Sequence, residues 1–290
     1  MTARLSVLLF ALCVLLGSTP ASAANPAMRT VQACGAPVPL QFDIMRAAGE
    51  QARFPALVLV HGGGWFTGSR ADFHGFMQEL ARRGIASMSV DYRLVPQATF
   101  PAQIEDVKCA MRWLHAHAAE YQIDPQRIAA MGASAGAQLV ALAGATPGKW
   151  DRYGGYTQYS SVPRCMILHG TPSDLSDWWA TADVSDHQPF STRNMLKALM
   201  QGDFPQMRAA YRAASPVSYA QKKIPPTLLI HGEQDDIVPV HQSTNFAAKL
   251  RAAGAPVQLI TIPDGDHMGF GSQGKQVTQQ FFQFLDQCLR

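Results

Sequence analysis

The sequence predicts an α/β fold with a mostly parallel central sheet and helices on both faces, and three observations predict it. Apolar, β-rich runs alternate with helical patterns along most of the chain, the order that βα units require. Three strand-like runs pass straight into His-Gly ("LVLVHGGG", "MILHGTP", "LLIHGEQ") and a fourth passes into "GASAG". Polar residues therefore collect at strand ends, the edge where open parallel sheets hold their ligands. Finally, 290 residues at 47% hydrophobic and 16% charged can bury the core of one large domain.

The first 23 residues read differently. Arg4 precedes the apolar run "LSVLLFALCVLLG", and "STPASA" ends on Ala21-Ser22-Ala23. These are the parts of an export signal cut after Ala23, and the run is short for a membrane span. Cys13 lies inside the apolar run without the small residues a lipoprotein signal needs before it. Residues 24–290 are then a single domain, exported to the periplasm or secreted. Its four cysteines, Cys34, Cys109, Cys165 and Cys288, allow two disulfides in three pairings.

Along that domain "PLQFDIM" alternates weakly, as an antiparallel edge strand would. The parallel strands fall at 56–60, 85–90, 127–131, 165–168, 227–230 and 258–262. "ADFHGFMQELARRG" puts Phe73, Met77 and Leu80 on one helical face and stops at Gly84. "AQIEDVKCAMRWLHAHAAEY" does the same with Ile104, Val107, Met111 and Leu114, and "STNFAAKLRAAG" and "KQVTQQFFQFLDQCL" complete the helices. Two stretches read as neither strand nor regular helix. They are the Gly- and Tyr-rich 148–161 and the long 174–215, both candidates for a substrate pocket or lid.

The chemistry centres on "RIAAMGASAGAQLVALAG". Gly132-Ala133-Ser134-Ala135-Gly136 fits the sharp strand-to-helix turn that lifts a serine and admits only small neighbours. A serine in this place can also be a helix cap, so the pentapeptide needs company. A hydroxyl becomes a nucleophile only beside a base oriented by a third group. After one later strand "HGEQDDIVPV" offers Asp235 and Asp236, and after the last "IPDGDHMGF" offers His267. Serine, acid and histidine stand in the order this turn expects. Upstream, "HGGGW" supplies glycine amides free to face a developing oxyanion.

The stretches "HGGGWFTGSRADF", "DYRLVPQATFPAQIEDVKCAMRWL", "IDPQRIAAMGASAGAQL", "AASPVSYA", "HGEQDDIVPV" and "PDGDHMGF" resemble the α/β-hydrolase superfamily. Within it the chain is similar to the hormone-sensitive-lipase-like esterases marked by H-G-G-G, and most to the bacterial feruloyl/acetyl-xylan esterase-like branch. The likeness runs from about residue 55 to the C-terminus. It implies Ser134 as nucleophile, His267 as general base and Asp235, in the D-x-x-V-P pattern, as the orienting acid. It implies the amides of Gly63, Gly64 and Ala135 as oxyanion donors. The chain departs from the pattern at Ala137, where glycine is usual, at Gln138, where His or Asn is common, and at "HGTPSDL" after Cys165.

Trp65, Trp178 and Trp179 are candidates for an aromatic substrate wall, and core packing is the alternative for the last two. His115 and His117 lie two apart on a helix and do not share a face, so they make a poor metal pair. His61, His169 and His231 read as hydrogen-bonding strand ends. No zinc, P-loop or dinucleotide spacing occurs, which predicts no metal and no cofactor. A net charge of +3 without a basic run argues against nucleic acid and against stable membrane insertion. The expected partner is a small-molecule or carbohydrate ester, with acetyl or feruloyl acyl groups. The rivals are an arylformamidase-type amidase, a long-chain lipase and a non-catalytic binding protein on the same fold. About thirty residues between Ala24 and the "ALVLV" strand leave no room for a large N-terminal cap.

Overall fold

The computed structural model describes residues 27–35, 39–183, 185, 186, 188 and 191–290, so the predicted export signal lies outside the described residues. The strands are β1 (Met28–Ala33), β2 (Leu40–Met45), β3 (Phe54–Val60), β4 (Ala86–Val90), β5 (Ile123–Ala133), β6 (Met166–His169), β7 (Thr227–Gly232) and β8 (Val257–Ile262). They form one sheet in the order β1-β2-β4-β3-β5-β6-β7-β8. From β4 to β8 every pairing is parallel, while β1 and β2 join antiparallel.

Strand periodicity sends alternate residues to two separate cores. Ala56, Val58 and Val60 of β3 face one core and Leu57 and Leu59 the other; β6 repeats this with Met166 and Leu168 against Ile167. Helices α1 (His74–Arg82) and α8 (Gly274–Leu289) cover the second face. The first is covered by α2 (Ala102–His117), α3 (Ala135–Ala145) and α7 (His241–Ala252). The α/β-hydrolase-like layering read from the sequence is the one observed.

Two places differ from the expectation. The "PLQFDIM" strand is β2, and it is not at the edge, because β1 pairs outside it along six residues. Residues 174–215 contain three short helices, α4 (Leu175–Thr181), α5 (Thr192–Met200) and α6 (Phe204–Ala214). Asp174 caps α4 through the amides of Ser176 and Asp177, and Ser191 caps α5 through Asn194. The stretch 148–161 is neither strand nor helix, as expected, and it is fastened along α2. Lys108, fully buried, donates to the carbonyls of Thr146 and Lys149, and Arg112 reaches Gly155, Tyr153 and Asp151.

Two disulfides select one of the three pairings. Cys34–Cys109 ties the end of β1 to α2, and Cys165–Cys288 ties the start of β6 to the end of α8. No helix among the described residues is long and apolar enough to cross a membrane.

Candidate active site

The site is assembled at the carboxyl ends of β3, β5, β6, β7 and β8. Ser134 ends β5 and opens α3 with φ 52° and ψ −121°, in a region that side-chain-bearing residues rarely adopt. Its amide donates to the His169 carbonyl at 2.8 Å, which fixes the turn to the end of β6. The side chain does not cap α3. It points instead at His267, whose Nε2 lies 2.9 Å from Ser134 Oγ. The small neighbours follow from this turn: a Cβ on Gly136 would overlap the carbonyl oxygens of Val60 and His61 at the end of β3.

His267 stands in the loop after β8, and its Nδ1 is 2.7 Å from Asp235 Oδ2. Asp235 stands in the loop after β7, where its Oδ1 accepts from the amides of Ile237 at 2.9 Å and Val238 at 2.8 Å. A carboxylate on that side fixes the tautomer. Nδ1 carries the hydrogen, and Nε2 offers its lone pair to the Ser134 hydroxyl. Burial raises the Asp235 carboxyl, but hydrogen bonds from His231 and His267, the charge of His267 and the Val238 amide outweigh it. The net effect holds the group far below the usual carboxylate range, so it is an anion at any working pH. Asp236, the other aspartate of the pair, is exposed.

The candidate oxyanion donors come from two elements. Ala135 is the first residue of α3, and first-turn amides have no partner within their helix. Gly63 and Gly64, with φ 97° and 60°, form a turn closed by the amides of Phe66 and Thr67, which donate to the Gly63 carbonyl at 3.0 Å. Beneath that turn Tyr92 donates to the carbonyls of His61 and Gly62 and stacks on the His61 ring at 4.2 Å. Burial lowers the His61 pKa and leaves the ring neutral.

All three tryptophans are buried, at 1% exposure for Trp65, 3% for Trp178 and 8% for Trp179. Trp65 Nε1 donates to Gln138 Oε1 at 3.2 Å, and Gln138 Nε2 donates on to the Ala214 carbonyl at 2.6 Å. The Trp65 and Trp178 rings are 6.4 Å apart. Trp179 turns edge-on to Tyr211, with the Arg193 guanidinium over its ring. Three residues near the site were not among the predicted site residues. Gln138 was visible only as a departure from the family pattern. Met195 of α5 seats its sulfur where a Cβ on Gly64 would be 2.7 Å away. His231, at the end of β7, reaches Asp235 from behind. Among the described residues no group of three or more His, Cys, Asp or Glu is placed to hold a metal ion.

A model of the BD-FAE family matches residues 42–250. Esterase LipQ of Mycobacterium tuberculosis is 32% identical over 217 residues, covering 74% of this chain and 50% of that protein. The chain spans about half the length of the curated relatives it matches. A truncated carbohydrate esterase from gut microbiota superposes with TM-score 0.77 at 26% identity, over 91% of this chain and 99% of that one. Thermogutta terrifontis esterase 2, in a form phosphonylated by sarin, does so with TM-score 0.74 at 27% identity, over 91% and 93%.

Proposed function

The chain belongs to the BD-FAE family, and from that premise and the geometry of the site we propose that it is a serine carboxylesterase. The observation that carries the reading is the hydrogen-bonded line from Ser134 through His267 to Asp235, at 2.9 and 2.7 Å. Ser134 Oγ attacks the ester carbonyl carbon as His267 Nε2 takes its proton. The carbonyl oxygen becomes an oxyanion among the amides of Gly63, Gly64 and Ala135. Collapse breaks the bond to the alcohol oxygen, which leaves with the proton from His267, and the acyl group stays on Ser134. Water then repeats the sequence, giving its proton to His267 and releasing the acid.

The acyl groups are short or aryl, acetyl or feruloyl in type, and the alcohol is a small molecule or a carbohydrate. The Met195 sulfur crowding Gly64, in the same loop as the buried Trp65, supports a confined acyl side. The gut-microbiota relative named a carbohydrate esterase supports the alcohol class. The two disulfides suit an oxidising compartment and support export.

The test is covalent. A fluorophosphonate should label wild type and not Ser134→Ala, and p-nitrophenyl acetate turnover should fall about a million-fold in that variant. Chelator should leave the wild-type rate unchanged. Loss of activity with EDTA, or labelling of the alanine variant, overturns the reading.

A further inference from the structure

The acid of the proposed triad is gripped on two sides, and only one of them is the catalytic histidine. His231 closes β7 as a fully buried ring. Its Nε2 lies 2.8 Å from the Val238 carbonyl and 3.0 Å from Asp235 Oδ2, and its Nδ1 is 2.6 Å from the Ser243 hydroxyl of α7. A carbonyl and a carboxylate can only accept, so Nε2 carries a hydrogen shared between them. Nδ1 then accepts from Ser243, itself fully buried. A neutral ring satisfies every one of these contacts.

We propose that His231 is a positioning residue for the triad, holding the Asp235 carboxylate in register with His267 through its Nε2–H. The inference rests on the serine-esterase reading of the site. Two independent features of the geometry carry it. Asp235 Oδ2 is shared by two imidazoles approaching from different elements, His267 from the loop after β8 and His231 from the strand itself. Val238 is gripped at both ends, its amide donating to Asp235 Oδ1 and its carbonyl accepting from His231. The turn 235–238 is thus closed into a ring by His231, and the ring is anchored to α7 by Ser243. Without the Nε2–H the carboxylate keeps its two amide donors on Oδ1 and is free to pivot about them. A pivot carries Oδ2 away from His267 Nδ1 without unfolding anything. The consequence is local: the imidazole loses the partner that fixes its tautomer, while the pocket for the substrate is untouched.

A pair of amide substitutions separates positioning from packing, because each reproduces one nitrogen of the ring. His231→Gln places an N–H near the position of Nε2; His231→Asn reaches only toward Nδ1 and Ser243. Both are first checked for folding by circular dichroism and melting midpoint. With p-nitrophenyl acetate the Asn variant should lose about ten- to a hundredfold in kcat with KM within about twofold, and the Gln variant should recover most of it. The downfield proton resonance of His267 Nδ1–H should weaken or shift in the Asn variant and return in the Gln variant. Should either fail to fold, Ser243→Ala, which loosens the ring without removing it, should lower kcat severalfold and disturb the same resonance. Equal activity of the two folded amide variants, or a resonance unmoved in Asn, overturns the proposal. The proton resonance is read without substrate, so failure of this inference is distinguishable from failure of the esterase reading, which is tested separately by the labelling, chelator and Ser134→Ala experiments on wild-type His231.

Discussion

Asp235→Asn removes one charge and exchanges one oxygen for an amino group, and the hydrogen bonds around the side chain decide which way the new amide must face. Two backbone amides, Ile237 and Val238, donate to Oδ1 at 2.9 and 2.8 Å. The asparagine oxygen faces them, because an NH₂ there would oppose two backbone donors, whereas on the other side it opposes only the His231 Nε2–H while His267 can change tautomer. The NH₂ is then forced toward His267 Nδ1, 2.7 Å from the oxygen it replaces. To accept from it, His267 moves its hydrogen to Nε2, and Nε2–H then faces Ser134 Oγ with no lone pair for the serine proton. The wrong tautomer in a serine triad costs about ten-thousandfold in kcat, about 5.5 kcal/mol of transition-state stabilisation. Asp236→Asn changes an exposed carboxylate and should stay within about twofold of wild type. Both variants are assayed on p-nitrophenyl acetate with circular dichroism as the fold control. A crippled Asp236→Asn beside an active Asp235→Asn refutes the assignment of the acid.

Three other parts of the molecule give outcomes of their own. If Met195 confines the acyl side as proposed, Met195→Ala should move the preferred acyl length of a p-nitrophenyl ester series upward by about two carbons, and an unchanged optimum refutes that placement. Replacing Cys34 and Cys109, or Cys165 and Cys288, by serine frees loops of 75 and 123 residues and should cost about 4–5 kcal/mol in urea unfolding, with a loss under about 1 kcal/mol refuting the cross-link argument. Burial first, then the nearby charges of His267 and His231, push the His169 pKa down to about 3, against the partial support of Asp235 and Asp266. The unfolded chain takes up that proton near pH 6.5 and the folded chain does not, so stability is full above about 6.5 and falls toward pH 3 by up to about 1.4 kcal/mol per pH unit. His169→Gln should flatten the slope of urea stability between pH 6 and 4.5, and parallel profiles would contradict the shift.

The sheet was legible because a buried parallel strand must be apolar on both faces, and "ALVLV" and "TLLI" can be little else. The same logic failed for β1. Met28–Ala33 is mostly exposed and joins the sheet through its backbone ladder with β2, so no side-chain pattern announces it. The helices α4 to α6 escaped for a related reason. They are 7 to 11 residues long, too short for a sustained periodic stripe, and their caps, Asp174 and Ser191, carry more signal than their interiors. Cysteine pairing was closed to sequence altogether, since partners 75 and 123 residues apart are brought together only by the finished topology.

The site shows the same division more sharply. Ser134, Asp235 and His267 stood out as candidates because each lies where a strand ends and the chain turns, and such turns tolerate few residue types. Gly232, three residues before Asp235, illustrates the constraint: a Cβ there would overlap the carbonyls of Gly265 and Asp266, so the acid loop and the histidine loop touch backbone to backbone. That contact sets the separation of Asp235 and His267 before any side chain is chosen, and its imprint on the sequence is a glycine. The contacts that sequence did not reveal are made by side chains alone. His231 meets Asp235 four residues on, yet it reads as one more His-Gly strand end beside His61 and His169. Met195 and Gly64 lie 131 positions apart, and methionine is a gap-filling residue that carries no motif. Backbone contacts restrict sequence to glycine and so can be read from it; side-chain contacts admit several solutions and become visible only once the loops are in place. The proposed triad therefore lies in turns that sequence can mark, and the side chains packed around it are residues that only the fold brings together.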